Sequence, residues 1–252
     1  MPDELNGCEA IKDKVTKRYE GVPIPSPVLT VKVESKFASY TVKVPKNELF
    51  RVKSIFQENE YSILGSISSR DRITCVDIGA NIGLYSIYAM MHMPNSTIHC
   101  FEPSPASYTL LRENVSIIPN IHLYAYGLFK GSHQAMMNIH KMNTGENSIK
   151  LNNQNYIDSI PVQLKDAGAE FDRLRLKHID ILKIDTEGCE VEILDSLGYR
   201  LSQIDYILVE YHSEKERREI DNILKDFHIF SSKAEILGLG TVKYINARLV
   251  KP

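Results

Sequence analysis

The sequence predicts an α/β fold with a mostly parallel sheet, and three observations lead to this prediction. Apolar runs of strand length alternate with helical stretches from position 73 onward. A glycine-punctuated turn joins the first of these strands to a helix. The chain has 252 residues, of which 43% are hydrophobic and 25% charged, enough for one α/β domain with an extension. Strands that alternate with helices form mostly parallel sheets covered on both faces.

The length and composition of each run set the expected boundaries. We expect strands near 73–78, 97–102, 121–125, 179–184 and 204–210, and helices near 83–93, 105–116, 189–197 and 213–226. Two weaker runs, 136–139 and 160–164, predict an inserted strand pair or an edge. No helix separates the runs 227–231 and 241–250, which predicts a closing hairpin and an antiparallel end to the sheet.

The first 70 residues follow a different pattern. Residues 28–45 alternate apolar and polar side chains across a short turn, which is typical of a β-hairpin. A helix is expected at 49–57, before a polar linker at 66–72. We therefore divide the chain into an N-terminal extension, residues 1–70, and a main domain, residues 71–252. The extension is expected to be a lid or a dimer element, so a homodimer is one arrangement that it could form.

The glycine turn is the most informative segment of the chain. It reads Asp77-Ile-Gly79-Ala-Asn81-Ile-Gly83-Leu84. A turn that brings backbone amides against a ligand needs residues that tolerate positive φ, and glycine and asparagine do so. A dinucleotide-binding loop would have a third glycine at position 84, so Leu84 argues against close approach to a pyrophosphate. The turn suits a ligand with adenosine but no diphosphate, such as S-adenosylmethionine.

Glu102 strengthens this interpretation. It ends the next apolar run, 19 positions after Gly83. That separation is close to the roughly 20 residues expected for an acid that binds both ribose hydroxyls. The alternatives are a turn that only connects two elements and a glutamate that is only a solvated charge.

A second group of polar residues belongs to a later strand and the turn after it. Lys183, Asp185 and Glu187 are expected at the carboxyl edge of the sheet, where ligands bind in open α/β folds. The acids could hold the ammonium group of the cofactor, screen a sulfonium, bind a metal or accept a proton. Alternatively they are charges favoured at a helix N-terminus, which is the role expected for Glu190 and Glu192.

His212 is the third candidate, because it follows the run 204–210 and would lie over the reactive end of the cofactor. Its reference pKa of roughly 6.5 suits the removal of a proton from a hydroxyl or amine. We expect His212 to be the general base, with Asp185 or Glu187 as the second choice. Glu210 could bind substrate or orient His212. A histidine at a strand end can also be only a surface or capping residue.

These motifs resemble those of the FkbM-type S-adenosylmethionine-dependent methyltransferases. The resemblance rests on the glycine turn, on Phe101-Glu102-Pro103, on Leu182-Lys-Ile-Asp-Thr-Glu-Gly-Cys-Glu190 and on Leu208-Val-Glu-Tyr-His212, and it covers residues 58–249. The third motif is the most specific to the family. Cys189 stands where alanine is usual, and residues 162–166 lack the usual Thr-Leu-Asp order.

The resemblance implies a class I methyltransferase fold, a Rossmann-like seven-stranded sheet, in which residues 71–252 bind S-adenosylmethionine and release S-adenosylhomocysteine. The implied cofactor-binding residues are Tyr61, Asp77, Gly79, Ala80, Asn81, Gly83, Leu84, Glu102, Pro103 and Asp185. The expected catalytic residues are His212, Asp185, Glu187 and Lys183, without a metal. The implied reaction is O-methylation of a sugar, glycan or small natural product, by in-line attack of the acceptor oxygen on the methyl group.

Composition narrows the expected partners and compartment. The formal net charge of −2 gives no basic surplus for nucleic acid, and no run approaches the roughly 20 apolar residues of a membrane span. The cysteines Cys8, Cys75, Cys100 and Cys189 are widely separated, which indicates a reduced, cytoplasmic protein. Two other functions stay open at this point. They are a nicotinamide-dependent oxidoreductase and a non-catalytic binding protein on the same fold.

Overall fold

A seven-stranded sheet forms the centre of the molecule. The computed structural model describes residues 10–15, 26–35, 38–58, 60–62, 65–151 and 153–250. The strands are β1 (Ala10–Val15), β2 (Val28–Glu34), β3 (Ser39–Pro45), β4 (Ile73–Ile78), β5 (Ser96–Phe101), β6 (Ile121–Tyr124), β7 (Gly127–Phe129), β8 (His133–His140), β9 (Tyr156–Asp166), β10 (Ile179–Ile184), β11 (Ile204–Tyr211), β12 (Phe227–Ile236) and β13 (Leu239–Asn246). The helices are α1 (Leu49–Phe56), α2 (Gly65–Ser68), α3 (Leu84–His92), α4 (Pro105–Val115), α5 (Ala167–Arg173), α6 (Glu190–Leu197) and α7 (Glu214–Ile223).

The strand order of the central sheet is β12-β13-β11-β10-β4-β5-β6. The strands from β11 to β6 run parallel, whereas β13 is antiparallel to both β11 and β12. The predicted mostly parallel sheet with an antiparallel C-terminal hairpin is therefore confirmed. Strands β4, β10 and β11 consist largely of Ile, Val and Leu because both faces of the sheet are covered.

Each face of the sheet has its own core. Helices α3 and α4 pack on one face together with the β2–β3 hairpin, around residues such as Val42 and Leu111. Helices α5, α6 and α7 pack on the other face, around residues such as Phe171. Alternation along β4 directs Cys75 into the first core and Val76 into the second. None of the described helices is long and apolar enough to cross a lipid bilayer.

The weaker apolar runs form a separate small sheet. Strands β8 and β9 pair antiparallel, with Met137 opposite Ile160, and β7 pairs parallel to β9. The predicted inserted pair is thus confirmed, but β7, β1, α2 and α5 were not predicted, and α2 overlaps the start of the predicted linker 66–72. Helix α5 begins after Asp166, whose side chain accepts a hydrogen bond from the Ala169 N–H at 2.9 Å. That capping aspartate is the sequence signal that could have revealed the helix.

The two strands of the closing hairpin differ in length from the prediction. Strand β12 continues to Ile236. It is an edge strand with mostly exposed side chains, so no apolar pattern in the sequence marks where it ends. Strand β13 ends at Asn246, whose side chain accepts a hydrogen bond from the Arg248 N–H and starts a 3-10 turn.

Three of the four cysteines, Cys75, Cys100 and Cys189, are buried free thiols. Cys8 lies outside the described residues.

Asn114 of α4 joins the hairpin to the glycine turn. Its Nδ2 donates to the carbonyl oxygens of Lys43 at 3.0 Å and Ile82 at 2.8 Å, and its Oδ1 accepts from the Lys43 N–H at 2.7 Å. The Asn114 side chain and its contact with the Ile82 carbonyl are buried, so water is not a ready substitute for the lost amide there. One amide therefore ties together β3, the turn and α4.

We predict that Asn114→Ala lowers the free energy of unfolding by about 2–4 kcal/mol, because it leaves buried backbone groups unpaired. Chemical denaturation measures this change. The control is Ser116→Ala, since the Ser116 hydroxyl is exposed and donates only to the Glu113 carbonyl. Its effect should stay within about 0.5 kcal/mol. Equal effects of the two substitutions would contradict the assigned role of Asn114.

Candidate active site

Gly79 is required by the way two strands meet. Its φ is 77°, and a Cβ atom there would overlap the carbonyl oxygen of Asp185, which follows β10. The N–H groups of Gly79 and Ala80 donate to the Phe101 carbonyl at 3.0 and 3.1 Å. The first two amides of the turn therefore bind the neighbouring strand, and they are not free for a ligand.

The turn instead orients Glu102, at the end of β5. Asn81, which has the positive φ expected for it at 48°, donates its N–H to Oε2 of Glu102 at 2.8 Å. The Ser104 N–H donates to Oε1 at 2.8 Å. Burial raises the pKa of Glu102 to about 7, against the opposing effect of these two N–H groups. Each carboxylate oxygen has lone pairs to accept a further hydrogen bond.

A buried ammonium group, that of Lys183, connects β10 to β4. Its Nζ lies 3.2 Å from Oδ1 of Asp77, 3.2 Å from the Gly79 carbonyl oxygen and 3.3 Å from Oδ2 of Asp185. Asp77 is fully buried, and its Oδ2 accepts from the Ser86 hydroxyl at 2.7 Å. Burial alone would raise the pKa of Asp185, but the Lys183 charge, a hydrogen bond with Glu210 and the Arg51 and His212 charges together outweigh it and lower that pKa to about 2.

A cavity, which we call the inner cavity, opens between the ends of β4, β5 and β10. Its polar wall includes Gly79, Asn81, Glu102 and Asp185. Its apolar wall comes from Pro103 and from the small sheet and its neighbouring loops, with the side chains of Leu128, Met137, Ile149 and Leu164. One cavity thus has a carboxylate-bearing side and an apolar side.

Other predicted cofactor-binding residues lie beside the inner cavity or behind it. Tyr61, Ala80 and Leu84 line a smaller adjoining cavity, where the Tyr61 hydroxyl donates to Oδ2 of Asp185 at 3.4 Å. Asp77 and Gly83 line neither cavity. Gly83 begins α3 with φ 87°, and a Cβ there would lie 2.6 Å from Leu111, so packing requires this glycine.

Glu187 and His212 meet at the border of a third cavity, the outer cavity, with a volume of 480 Å³. Their Oε2 and Nε2 atoms are 3.1 Å apart. Burial alone would lower the pKa of His212, but Glu187 and nearby carboxylates outweigh it and raise that pKa to about 10. His212 is therefore an imidazolium at neutral pH, a form that cannot accept a proton.

Glu210 lies on the same border and shares a hydrogen bond with Asp185. Burial, followed by the Asp185 charge, raises the pKa of Glu210 well above its usual range. Asp185, Glu187 and His212 offer ligand atoms within 4.8 Å of one another, a spacing that could hold a metal ion. The positive charge among these acids comes from Lys183, from Arg51 and from the imidazolium.

Glu190 stabilises the turn between β10 and α6. It is fully buried, its Oε1 accepts from the Thr186 N–H at 2.7 Å, and its Oε2 accepts from the Gly188 N–H at 2.9 Å. Glu192 instead pairs with Lys150 at 2.5 Å. Neither residue lines the three cavities just described, in line with the structural role expected for them.

Sequence reasoning missed two parts of the site. Arg51 of α1 lines all three cavities, and Thr144, Gly145 and Asn147, which follow β8, line the inner cavity. A single arginine in a short helix gives no sequence signal of this kind, because the same residue is equally common on a solvated face. The loop residues have no motif either.

Comparison with known proteins identifies the family. The family model described as the methyltransferase FkbM domain matches residues 77–233, more than half of the chain. Methyltransferase 1 of Beauveria bassiana is 25% identical over 207 residues, covering 73% of this chain and 82% of that protein. The hexuronic acid methyltransferase AglP of Haloferax volcanii is 24% identical over 214 residues, covering 81% of this chain and 82% of that protein.

A solved structure shows the same fold. The fibrillarin pre-rRNA processing protein of Methanococcus jannaschii superposes with a TM-score of 0.50 at 11% identity, covering 98% of this chain and 99% of that chain. The class I methyltransferase fold is thus confirmed, and the methyltransferase prediction is favoured over a nicotinamide-dependent oxidoreductase. From its family match, its relatives and its fold, the chain belongs to the FkbM methyltransferase family.

Proposed function

We propose that this methyltransferase transfers the methyl group of S-adenosylmethionine to a hydroxyl group on a sugar or small natural product. The observation that carries the proposal is the orientation of Glu102. Two backbone N–H groups hold its carboxylate at the inner cavity, and each oxygen can accept one hydroxyl of a vicinal diol. The name of the relative AglP, a hexuronic acid methyltransferase, supports a sugar acceptor.

The chemistry of the residues that line the inner cavity supports this cofactor. Glu102 would bind the ribose hydroxyls, and the apolar wall that includes Leu128 and Leu164 would cover the adenine. Asp185 would lie at the methionine end, where its lowered pKa keeps it charged beside an ammonium group. The cofactor supplies a methyl group already activated on a sulfonium. The protein therefore needs only to align an acceptor oxygen with that methyl group in a site shielded from water.

The outer cavity is the proposed acceptor site. Its volume of 480 Å³ falls in the range of small-molecule sites, and Glu60, Glu146, Glu187 and Glu210 contribute to its lining. Carboxylates accept hydrogen bonds from hydroxyl groups, so a polyhydroxylated molecule finds partners there. Arg51, together with the imidazolium described above, is the opposing positive charge in this lining.

Glu187 replaces His212 as our first choice of general base. Of the four predicted catalytic residues, Glu187 is the one that lines both the inner and the outer cavity. His212 is already protonated at neutral pH and would act as a positioning residue that fixes the Glu187 carboxylate. Lys183 makes three buried contacts and would hold Asp185 and the glycine turn in place.

Methyl transfer itself tests the proposed function. Incubation with methyl-labelled S-adenosylmethionine and a panel of hexosides, hexuronates and hydroxylated natural products should place label on at least one acceptor. We expect that label to be stable to alkali, because an ether forms at a hydroxyl, whereas a methyl ester at a carboxyl would be cleaved. Alkali-labile product would contradict the hydroxyl acceptor. Failure to bind S-adenosylmethionine or S-adenosylhomocysteine would contradict the cofactor.

For cofactor binding, we predict that Glu102→Gln weakens the affinity for S-adenosylhomocysteine about tenfold or more, because a charged acceptor of two hydrogen bonds is lost. Wild-type affinity should rise with pH across about pH 6–8, since the pKa of about 7 means that the binding-competent carboxylate forms in this range. Calorimetric titration at several pH values measures both effects.

The pH dependence should flatten in Glu102→Gln. The control variant Glu219→Gln removes an exposed carboxylate of α7 that lines none of the three cavities, and it should bind as the wild type does. An unchanged pH slope in Glu102→Gln would show that another group governs binding.

For proton transfer, we predict that Glu187→Gln lowers kcat by about 10²–10⁴-fold with little change in cofactor affinity, because a positioned base contributes that much. The same substitution should lower the pKa of His212 from about 10, because the Glu187 carboxylate is the group that raises this pKa most. Single-turnover kinetics and an NMR titration of the imidazole measure these two effects. A His212 pKa near 6.5 in the wild type would restore His212 as the base.

The raised pKa of His212 also determines whether this residue stabilises the fold more at low or at high pH. A pKa that folding raises gives stability that is fully present below the unfolded value, roughly 6.5, and that is lost as pH rises through about 10. The stability difference between wild type and His212→Gln should therefore be larger at pH 6 than at pH 10. A difference that grows with pH would contradict the imidazolium.

A further inference from the structure

Arg51 stands where the three cavities of the site meet. Among the residues that the structure describes, it alone lines the inner cavity, the outer cavity and the small cavity beside Tyr61. Arg51 belongs to α1, within the N-terminal extension. The segment of the chain that matches the family model begins only at residue 77. A charged side chain from outside the matched segment thus reaches the centre of the site.

The guanidinium of Arg51 is held in place but not neutralised by a close ion pair. A Cβ atom at Gly145 would collide with it, so the glycine backbone lies directly against the group. Its Nε is buried, has no hydrogen-bond partner and lies 4.0 Å from Oε2 of Glu48, which is itself unpartnered. The Phe50 ring lies 5.4 Å from the guanidinium carbon. A buried donor without an acceptor is costly, and a bound ligand could supply the acceptor.

Lys183 is the other cation that lines the small cavity, and its ammonium group is not available to bind an anionic ligand. The Lys183 ammonium has three donors, and Asp77, the Gly79 carbonyl and Asp185 already lie within 3.3 Å of it. Binding an anion would require one of these buried contacts to break. Glu48, Asp185, Glu187 and Glu210 act on the Arg51 charge from a distance, but its one ion pair among the described residues is the Glu48 contact at 4.0 Å. Its N–H donors therefore remain available to an anion.

We propose that the Arg51 guanidinium binds the carboxylate of the methionine part of the cofactor. The inference rests on the proposed function, because S-adenosylmethionine is the ligand that brings a carboxylate to this end of the cavity. A guanidinium matches a carboxylate in planar, bidentate geometry and keeps its charge when buried. The cofactor would then be fixed at both ends, by Glu102 at the ribose and by Arg51 at the amino acid. The N-terminal extension would therefore be part of the cofactor site.

Paired ligands test the proposal. S-adenosylhomocysteine and its decarboxylated analogue differ only in the carboxylate. Calorimetry on the full chain should give a wild-type preference of about tenfold or more for S-adenosylhomocysteine, the size expected for a charge-assisted contact. Arg51→Gln should remove most of this preference, and it should change the affinity for the decarboxylated analogue by less than about threefold. Arg51→Lys should retain part of the preference because it keeps the charge without the bidentate geometry.

The matched control is Lys53→Gln, which removes one positive charge from the same helix. Lys53 is exposed and lies 3.3 Å from Glu58, so its loss should leave both affinities unchanged. Equal weakening of both ligands by Arg51→Gln would overturn the proposal in favour of a structural role. Unchanged affinities, with impaired use of an acidic acceptor, would assign Arg51 to the acceptor instead. A wild type that binds neither ligand would refute the proposed function, and that result is distinct from either outcome for Arg51.

Discussion

The site depends on one buried positive charge, the Lys183 ammonium, between the two central strands. An unpaired charge in this position would cost several kcal/mol, so its acceptors must be correctly placed whenever the protein is folded. Those acceptors are Asp77 of β4, the Gly79 carbonyl of the turn and Asp185 after β10. The contacts fix the separation of the two strand ends, and a glycine is needed between them because no Cβ fits there. The stability of the fold and the geometry of the cavity thus share the same interactions.

The glycine turn has a different role from the one that its sequence first indicates. Its amides do not form an open cradle for a ligand, since Phe101 accepts from two of them and Glu102 from the third. The turn therefore acts on a ligand through the carboxylate that it orients. Under the proposed function, a loop with asparagine in the middle and leucine at its end can therefore still serve a ribose. No helix N-terminus has to approach a diphosphate.

The parts of the fold that could be predicted are those with a strong periodic signal. Strands β4 and β10 lie where the sequence predicts them because both of their faces are buried, and four of the six positions in each strand are apolar. Strand β7 has three residues and helix α5 has seven, which give little pattern to detect. Strand β1 has six residues, but three of them are charged, so no apolar run marks it. Within the site, the sequence could place Glu102 and Glu187 at one edge of the sheet. It could not show the charge state of His212, which depends on a contact of 3.1 Å between distant segments.

Strand β13 has a consequence for how this chain reaches its final structure. It lies between β11 and β12, so β12 has no hydrogen-bonded neighbour in the sheet until the strand that follows it is in place. During synthesis the ribosome must therefore release residues up to about 246 before the sheet can close beyond β11. Contacts between segments that follow each other closely, such as β4 with β5, can form earlier because less chain entropy is lost. Until then, the outer edge of β11 is an unprotected strand edge, which makes a nascent chain vulnerable to aggregation.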